Sequence, residues 1–172
     1  MDNLKRKELL KSLLIDSNEP IKGQDLADKF KVTRQVIVKD IAILRAEGLE
    51  IISTPKGYMV LKVTSASMRR VIAVNHTSDQ MEDELNTIVK YGGIVEDVIV
   101  EHPLYGEIRG MLMLKNMYDI ENFCISFKNY SAEPLSTLTN GVHLHTIVCD
   151  SENSLKKIID ELSKKGYLIK EL

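Results

Sequence analysis

Three histidines and one glutamate have the types and spacing of a metal site. His143 and His145 lie two residues apart in a β-rich run, so both imidazoles would leave the same face of a strand. His76 directly follows an earlier apolar run, and Glu84 lies at the edge of the apolar face of the next predicted helix. Three imidazoles and a carboxylate suit Zn²⁺, Ni²⁺, Co²⁺ or Fe²⁺ better than Mg²⁺ or Ca²⁺. The pattern indicates a transition-metal site, although structural or surface histidines produce the same spacing on a strand.

The segment EHPLYGEIRG contains a further group of polar side chains. His102 precedes a proline, which favours a turn between two strands. In one interpretation it is only a turn histidine. In the other, His102, Tyr105 and Arg109 bind a small carboxylate through hydrogen bonds and charge. We take these three residues as candidates for effector binding.

Residues suited to reading DNA occur together at the start of the third predicted helix. Arg34 and Gln35 carry the donor and acceptor groups that pair with guanine and adenine edges, whereas Lys39 suits a phosphate better. Thr33 is a good N-cap, because its hydroxyl can accept a backbone N–H at the helix start. The predicted DNA-contacting residues are Thr33, Arg34, Gln35, Lys39, Arg45 and Lys56.

The elements around these residues form the pattern of a winged helix-turn-helix. The segment from residue 23 predicts a helix with Leu26, Ala27 and Phe30 on its apolar face, a tight turn, and a second helix that also has one apolar face and ends before Gly48. Two β-rich runs, 49–53 and 58–61, flank a hairpin tip at 54–57 that carries a lysine. In such a domain the second helix enters the major groove. The alternative is a protein-interaction module with the same fold.

A preceding helix is predicted over residues 3–16. Its apolar face consists of Leu4, Leu10, Leu13 and Leu14. This helix should complete the core of the N-terminal domain.

The rest of the chain predicts an α+β domain. The order strand, helix, strand, strand, helix, strand is that of the ferredoxin-like βαββαβ unit, followed here by an extra helix and strand. The predicted strands cover 70–75, 94–101, 107–114, 142–149 and 167–170, and the predicted helices cover 78–91, 118–129 and 152–165. We place the DNA-binding domain at 1–61 and the regulatory domain at 62–172, joined by a polar connection over 62–66.

Charge and composition favour a protein that binds DNA with one end. The 172 residues carry a net charge of −2, but the first 60 contain 11 basic against 9 acidic residues and the remainder 12 against 16. A basic head on an acidic body suits DNA docking by the head alone, with two copies sharing a two-fold operator. No apolar run spans a membrane and the first residues do not resemble a signal peptide, which predicts a cytoplasmic protein. Cys124 and Cys149 lack metal or redox spacing and are expected to be buried, reduced thiols.

The whole chain resembles the niacin-responsive repressors of Gram-positive bacteria, in which a biotin-repressor-type helix-turn-helix precedes a domain named for its three histidines. The resemblance rests on VTRQVIVKDIAILRAEG with the wing, on Asn75-His76-Thr77, on HPLYGEIRG from His102, and on GVHLHTI from Gly141. One departure is at the wing tip, where Lys56-Gly57-Tyr58 replaces the Gly-Gly-Tyr common in the family.

The resemblance implies a metal set of His76, Glu84, His143 and His145. It also implies a homodimer that represses genes of NAD synthesis or niacin uptake, with nicotinic acid as co-repressor, on a pseudo-palindromic double-stranded operator. One rival is a regulator for which the metal itself is the signal. A second rival is a metal-dependent hydrolase with a DNA-binding head, but no residue is placed as a general base, so we expect no enzyme activity.

Overall fold

The chain divides into two compact units, Met1–Val63 and Thr64–Leu172, in a computed structural model that describes residues 2–62 and 67–169. Each unit has a hydrophobic core of its own. Most of the predicted connection at 62–66 lies outside the described residues. None of the helices described is long and apolar enough to cross a membrane.

The first unit is a winged helix-turn-helix. It consists of α1 (Asn3–Asp16), α2 (Gly23–Phe30), α3 (Arg34–Ala46), β1 (Ile51–Thr54) and β2 (Gly57–Val60). The apolar faces of α2 and α3 are buried as predicted, at Leu26, Ala27, Phe30, Ile37, Ile41 and Leu44. Gly48 follows the end of α3 with φ +94°, the left-handed conformation that a C′ glycine supplies.

One local prediction for this unit is wrong, and a second is confirmed only in part. Leu4 is 61% exposed and is not part of the core stripe. The helical repeat places Arg6, rather than Leu4, on the face of Leu10 and Leu14, and Arg6 is buried there. Thr33 does occupy the N-cap position of α3, but its side chain makes no capping hydrogen bond.

The wing is a two-residue hairpin anchored to the helices. Thr54 pairs with Gly57, so Pro55 and Lys56 form the tip and the strands are shifted slightly from the predicted runs. Tyr58 also exchanges backbone hydrogen bonds of 2.9 Å with Ile21, which lies in the loop before α2. A Cβ at Gly57, whose φ is +134°, would lie 2.3 Å from the Ile21 carbonyl oxygen. The wing can therefore approach the helices this closely only with glycine at this position.

The second unit is an α+β domain with an antiparallel four-stranded sheet. Its elements are β3 (Met68–Asn75), a 3₁₀ turn (Ser78–Gln80), α4 (Met81–Lys90), β4 (Ile94–His102), β5 (Gly106–Leu114), α5 (Met117–Asn129), a second 3₁₀ turn (Leu135–Thr139), β6 (Val142–Cys149) and α6 (Glu152–Lys164). The strand order is β3-β6-β4-β5. β6 lies between β3 and β4, and β4 lies between β6 and β5, so both strand-helix-strand units are split. The predicted α+β class is confirmed, but the ferredoxin-like topology is wrong: that topology places the first and third strands, β3 and β5, in the centre of the sheet, whereas here they form its edges. The order of elements along the chain does not determine which strands become neighbours, because pairing depends on long-range contacts.

The two ends of this second unit differ in detail from the predictions. The helix predicted over 78–91 begins with the 3₁₀ turn, which Thr77 and Gln80 cap. The predicted last strand, 167–170, is wrong: Leu168 forms a single bridge to Val74, and residue 170 lies outside the described part. The pairing consists of two backbone hydrogen bonds, from the Asn75 N–H to the Tyr167 carbonyl at 2.8 Å and from the Ile169 N–H to the Ala73 carbonyl at 3.0 Å.

Candidate metal centre and DNA-reading surface

The four predicted metal ligands converge in the second unit. The Glu84 Oε2 atom lies 2.7 Å from His76 Nε2, 3.4 Å from His145 Nε2 and 3.6 Å from His143 Nε2. All four side chains are buried, and ligand atoms of His76, Glu84 and His143 lie within 4.8 Å of one another. Three imidazole nitrogens therefore surround one carboxylate oxygen.

Pairing of β3 with β6 produces this convergence. His143 and His145 alternate along β6, and they pair with Val74 and Ile72 of β3. Directly after β3, the chain reaches His76 beside them. Glu84 lies on the buried face of α4, next to the core residue Leu85.

Each imidazole is oriented by a hydrogen bond from its other nitrogen. The Nδ1 atoms lie at hydrogen-bonding distance from backbone carbonyl oxygens, at 2.8 Å for His76 with Thr77, 2.8 Å for His143 with Gly141 and 2.5 Å for His145 with Asp97. An Nδ1–H that donates to a carbonyl leaves the Nε2 lone pair for a cation in the neutral ring. All three rings therefore present the correct atom to the centre.

The donor set fits a divalent transition metal. Burial opposes the charged form of Glu84, but the charge of His145 and the contacts with all three imidazoles outweigh it and hold the pKa of Glu84 well below its usual range. The other oxygen, Glu84 Oε1, is buried and has no hydrogen-bond partner among the described residues. Buried polar atoms without a partner are costly and rare, so the unsatisfied oxygen of this carboxylate points to a missing ligand such as a cation. Nitrogen and oxygen donors of this kind suit Zn²⁺, Ni²⁺, Co²⁺ or Fe²⁺.

An apolar cavity of about 250 Å³ adjoins the histidines. One end is formed by His76, His143 and His145. Its walls come from α4, α5, β4, β5, the second 3₁₀ turn and the loop before that turn. Most wall residues are apolar, and Glu133 and Ser136 are the polar ones; the apolar ones include Met81, Leu85, Val98, Leu112, Phe123, Phe127 and Leu135. Such a cavity suits a small flat ligand whose polar group faces the histidines and whose ring contacts the apolar walls.

The residues predicted to bind an effector lie elsewhere. His102 ends β4, and its Nδ1 accepts the backbone N–H groups of Leu104 and Tyr105 at 3.1 and 3.3 Å. Tyr105 is 73% exposed, and Arg109 pairs with Asp97 at 3.0 Å. None of the three predicted residues lines the cavity.

Sequence reasoning missed two aromatic residues of this cavity. Phe123 and Phe127 lie four residues apart on α5, with ring centroids 6.3 Å apart. Their spacing was available in the sequence, but it is also the spacing of ordinary core residues. Only the cavity in the structure shows that Phe123 and Phe127 can contact a ligand rather than pack as ordinary core residues.

The predicted DNA-contacting residues of α3 are exposed near the start of the helix. Arg34, Gln35 and Lys39 all point to solvent. Arg34 also lines a cleft of about 210 Å³ together with Lys22 and Lys56, between the helix starts and the wing tip. Three cationic side chains thus meet at one concave surface.

Arg45 has a different environment from the one predicted. Its Nε donates to the Ile51 carbonyl at 2.7 Å and a terminal nitrogen donates to Ser53 Oγ at 2.8 Å. The guanidinium therefore joins the end of α3 to the first strand of the wing.

A buried ion pair that the sequence did not reveal joins α1 to α3. The guanidinium of Arg6 contacts both carboxylate oxygens of Asp40, at 2.6 and 3.2 Å, and both side chains are buried. The hydrogen bond with Asp40 raises the pKa of Arg6, although burial opposes the charge. This pair fixes the position of α3 relative to α1.

Comparisons with known proteins cover both units. Residues 69–171 match the 3H domain family, and residues 6–59 match a helix-turn-helix domain family. The chain is 45% identical over 169 residues to a protein of Thermotoga maritima named "Probable transcription repressor NiaR", covering 96% of each chain. It is 36% identical over 169 residues to "Transcription repressor NadR" of Bacillus subtilis, covering 96% of this chain and 94% of the relative.

Proposed function

Because this chain belongs to the niacin-responsive family of transcription repressors, which join a helix-turn-helix to a 3H domain, we propose that nicotinic acid and a divalent metal control its binding to DNA. The protein is a DNA-binding transcription repressor. Its target genes would be those of NAD synthesis or niacin uptake. The names of the relatives favour this regulatory role over a metal-dependent hydrolase.

One observation carries the sensory part of the proposal. His76, His143 and His145 line one end of a mostly apolar cavity, and their Nε2 atoms lie within 3.6 Å of the buried Glu84 carboxylate. Nicotinic acid has an apolar ring with a nitrogen and a carboxylate at its edge. The ring matches the apolar walls, and an edge donor matches the polar end. When bound, the metal would supply a positive charge and an open coordination position for that donor.

The metal would be held by His76, Glu84, His143 and His145. The buried carboxylate compensates part of the cation's charge, and the three imidazoles are already oriented by their backbone acceptors. Zn²⁺, Ni²⁺, Fe²⁺ and Co²⁺ all accept such ligands, so the native ion is left open.

The first unit would contact DNA through α3 and the wing. Thr33, Gln35 and Lys39 lie exposed at the start of α3, where a recognition helix reads base edges. The cleft between Lys22, Arg34 and Lys56 suits a backbone phosphate, so we propose that Arg34 contacts the DNA backbone rather than a base edge. Arg45 would act indirectly, by holding the wing against α3.

A homodimer would bind a pseudo-palindromic operator. One head presents a single recognition helix, and a two-fold pair would read two half-sites about 34 Å apart. Nicotinic acid would favour the dimer arrangement with this spacing, because a ligand shifts an equilibrium only by binding one state more tightly.

Operator binding in a gel-shift titration tests the proposal. The metal-loaded protein is titrated with and without nicotinic acid, and with benzoic acid as a control that lacks the ring nitrogen. We expect nicotinic acid to tighten binding within the roughly 5–150-fold range usual for allosteric coupling. Unchanged operator affinity would contradict the proposed effector.

A second candidate function is a metal-responsive regulator, and the same titration tests it. All four proposed protein ligands come from one chain. Such a set can hold an ion without any organic ligand, so the metal alone could be the signal. Protein dialysed against a chelator is tested with metal alone and with metal plus nicotinic acid. Full operator affinity with metal alone would favour the metal-responsive regulator.

A further inference from the structure

Strand β4 has an irregular register at Asp97, the residue that contacts His145. The register of β4 with β5 shifts between Val95 and Asp97, and its register with β6 shifts between Val95 and Ile99. At Asp97 the regular ladder to β6 is therefore interrupted. Such bulges re-aim backbone and side-chain groups.

Hydrogen bonds to the side chain of Asp97 take the place of the missing backbone hydrogen bonds between β4 and β6. Its Oδ1 accepts the backbone N–H of Thr146 at 2.8 Å, and its Oδ2 accepts the Thr146 hydroxyl at 3.0 Å. Arg109 donates to the same Oδ2 at 3.0 Å from the neighbouring strand. The Asp97 side chain is completely buried, so these three donors hold it in one position.

The backbone of Asp97 then becomes the acceptor for His145. Its carbonyl oxygen lies 2.5 Å from His145 Nδ1. The other two site histidines use acceptors within two residues of themselves, whereas His145 depends on a residue 48 positions away on another strand. The orientation of this one ring is therefore set by the bulge.

We propose that Asp97, with Arg109 as its counterion, is a positioning residue that fixes the ring orientation of His145 and thereby the affinity of the site for metal. The proposal rests on the metal site proposed above and adds two residues to it. It also gives Arg109 a role in place of the predicted contact with an effector. Loss of an outer-shell partner typically lowers metal affinity about 10–100-fold.

The same strand contains a matched control. Glu96 precedes Asp97, is 4% exposed and pairs with Arg69 of β3, and Arg69 and Arg109 have nearly equal side-chain exposure of 42% and 43%. Removing either carboxylate takes one partner from an arginine of similar exposure, and Arg109 keeps its second contact with Glu107 at 3.2 Å. Only Asp97 contacts a site histidine.

Zn²⁺ affinity, measured by competition with a chelator, tests the proposal on Asp97→Ala and Glu96→Ala. We expect the first to bind Zn²⁺ about 10–100-fold more weakly and the second to stay close to wild type. Equal losses in both variants, or wild-type affinity in Asp97→Ala, would overturn the proposal. If Asp97→Ala does not fold, Arg109→Gln and Arg69→Gln provide the same comparison, with a larger loss expected for Arg109→Gln and equal values overturning it.

Proton-detected NMR of the histidine rings in metal-free protein separates this proposal from the metal site. The Nδ1 proton of His145 should be hydrogen-bonded and slow to exchange in wild type and in Glu96→Ala, and rapidly exchanging in Asp97→Ala. An unchanged His145 signal in Asp97→Ala would overturn the positioning role. A wild-type protein that binds no Zn²⁺ would instead contradict the proposed metal site.

Discussion

At the scale of single residues, Glu84 is the most unusual group of the second unit. Its carboxylate is fully buried, contacts three imidazoles through Oε2 and leaves Oε1 without a partner among the described residues. A folded chain rarely leaves such an oxygen unsatisfied unless a ligand satisfies it. The unsatisfied oxygen supports the proposal that Glu84 is a metal ligand.

Replacing Glu84 tests this interpretation. Glu84→Gln keeps the shape of the side chain but removes the negative charge, so we expect Zn²⁺ affinity to fall by more than the roughly 10–100-fold typical of outer-shell partners. Glu82→Gln, at an exposed position on the same helix, should bind Zn²⁺ as wild type does. Competition titrations measure both. Wild-type affinity in Glu84→Gln would exclude it from the metal set.

Replacing His145 tests whether metal binding can be lost without loss of folding. His145→Ala should abolish metal binding while the fold persists, because the core of this unit rests on apolar residues such as Leu85, Ile88 and Ile147. Circular dichroism and a Zn²⁺ titration on the same sample check both parts. A collapsed spectrum would show that His145 is needed for folding.

Arg34 and Gln35 are adjacent but are expected to differ in effect. Arg34 lines the cationic cleft, so Arg34→Ala should weaken all DNA sequences alike and reduce the slope of log affinity against log salt by about 0.9. Gln35→Ala should instead relax preference at one base, costing about 1–3 kcal/mol on the preferred sequence. Salt titrations on operator and mutated operators distinguish the two. Loss of preference at one base in Arg34→Ala would restore it as a base-reading residue.

At the scale of elements, most helices and strands follow from sequence periodicity. The faces of α2, α3 and α4 and the bounds of β6 were predictable, because burial on one face imposes a fixed repeat. The burial of Arg6 rather than Leu4 on α1 was not predictable, because a buried arginine depends on its partner Asp40, which lies 34 residues away in sequence. The bulge at Asp97 also escaped prediction, since register depends on the partner strand.

The candidate site was predictable in part for the same reason. Residue type and strand spacing indicated the four candidate ligands, the family resemblance implied that they form one set, and the structure brings their side chains together. The cavity walls were not distinguishable from core, and the segment from His102 to Arg109 was assigned to an effector because its partners are not adjacent in sequence. A short-range pattern identifies ligands on one strand, but long-range contacts decide what surrounds them.

The ion pair between α1 and α3 gives a stability prediction. Arg6→Ala leaves the Asp40 carboxylate buried and unpaired, so it should destabilise the first unit by about 3–5 kcal/mol. Arg6→Met combined with Asp40→Leu removes both charges and should recover most of the loss. Urea unfolding of both variants measures this. A loss below about 1 kcal/mol for Arg6→Ala would show that water satisfies Asp40.

The whole molecule consists of a basic winged helix-turn-helix unit and an acidic second unit, each with its own core. Its family joins these two parts in one repressor, so the physical question is how a ligand in the second unit is sensed. The proposed answer is that the metal completes the polar end of an apolar cavity, and nicotinic acid binds against it.

Calorimetric titration of nicotinic acid into metal-loaded and chelator-treated protein tests this answer most directly. The account predicts saturable binding of one nicotinic acid per chain to the metal-loaded protein, and a loss of binding when the metal is removed or when His145→Ala is used. Equal nicotinic acid affinity with and without metal would contradict it.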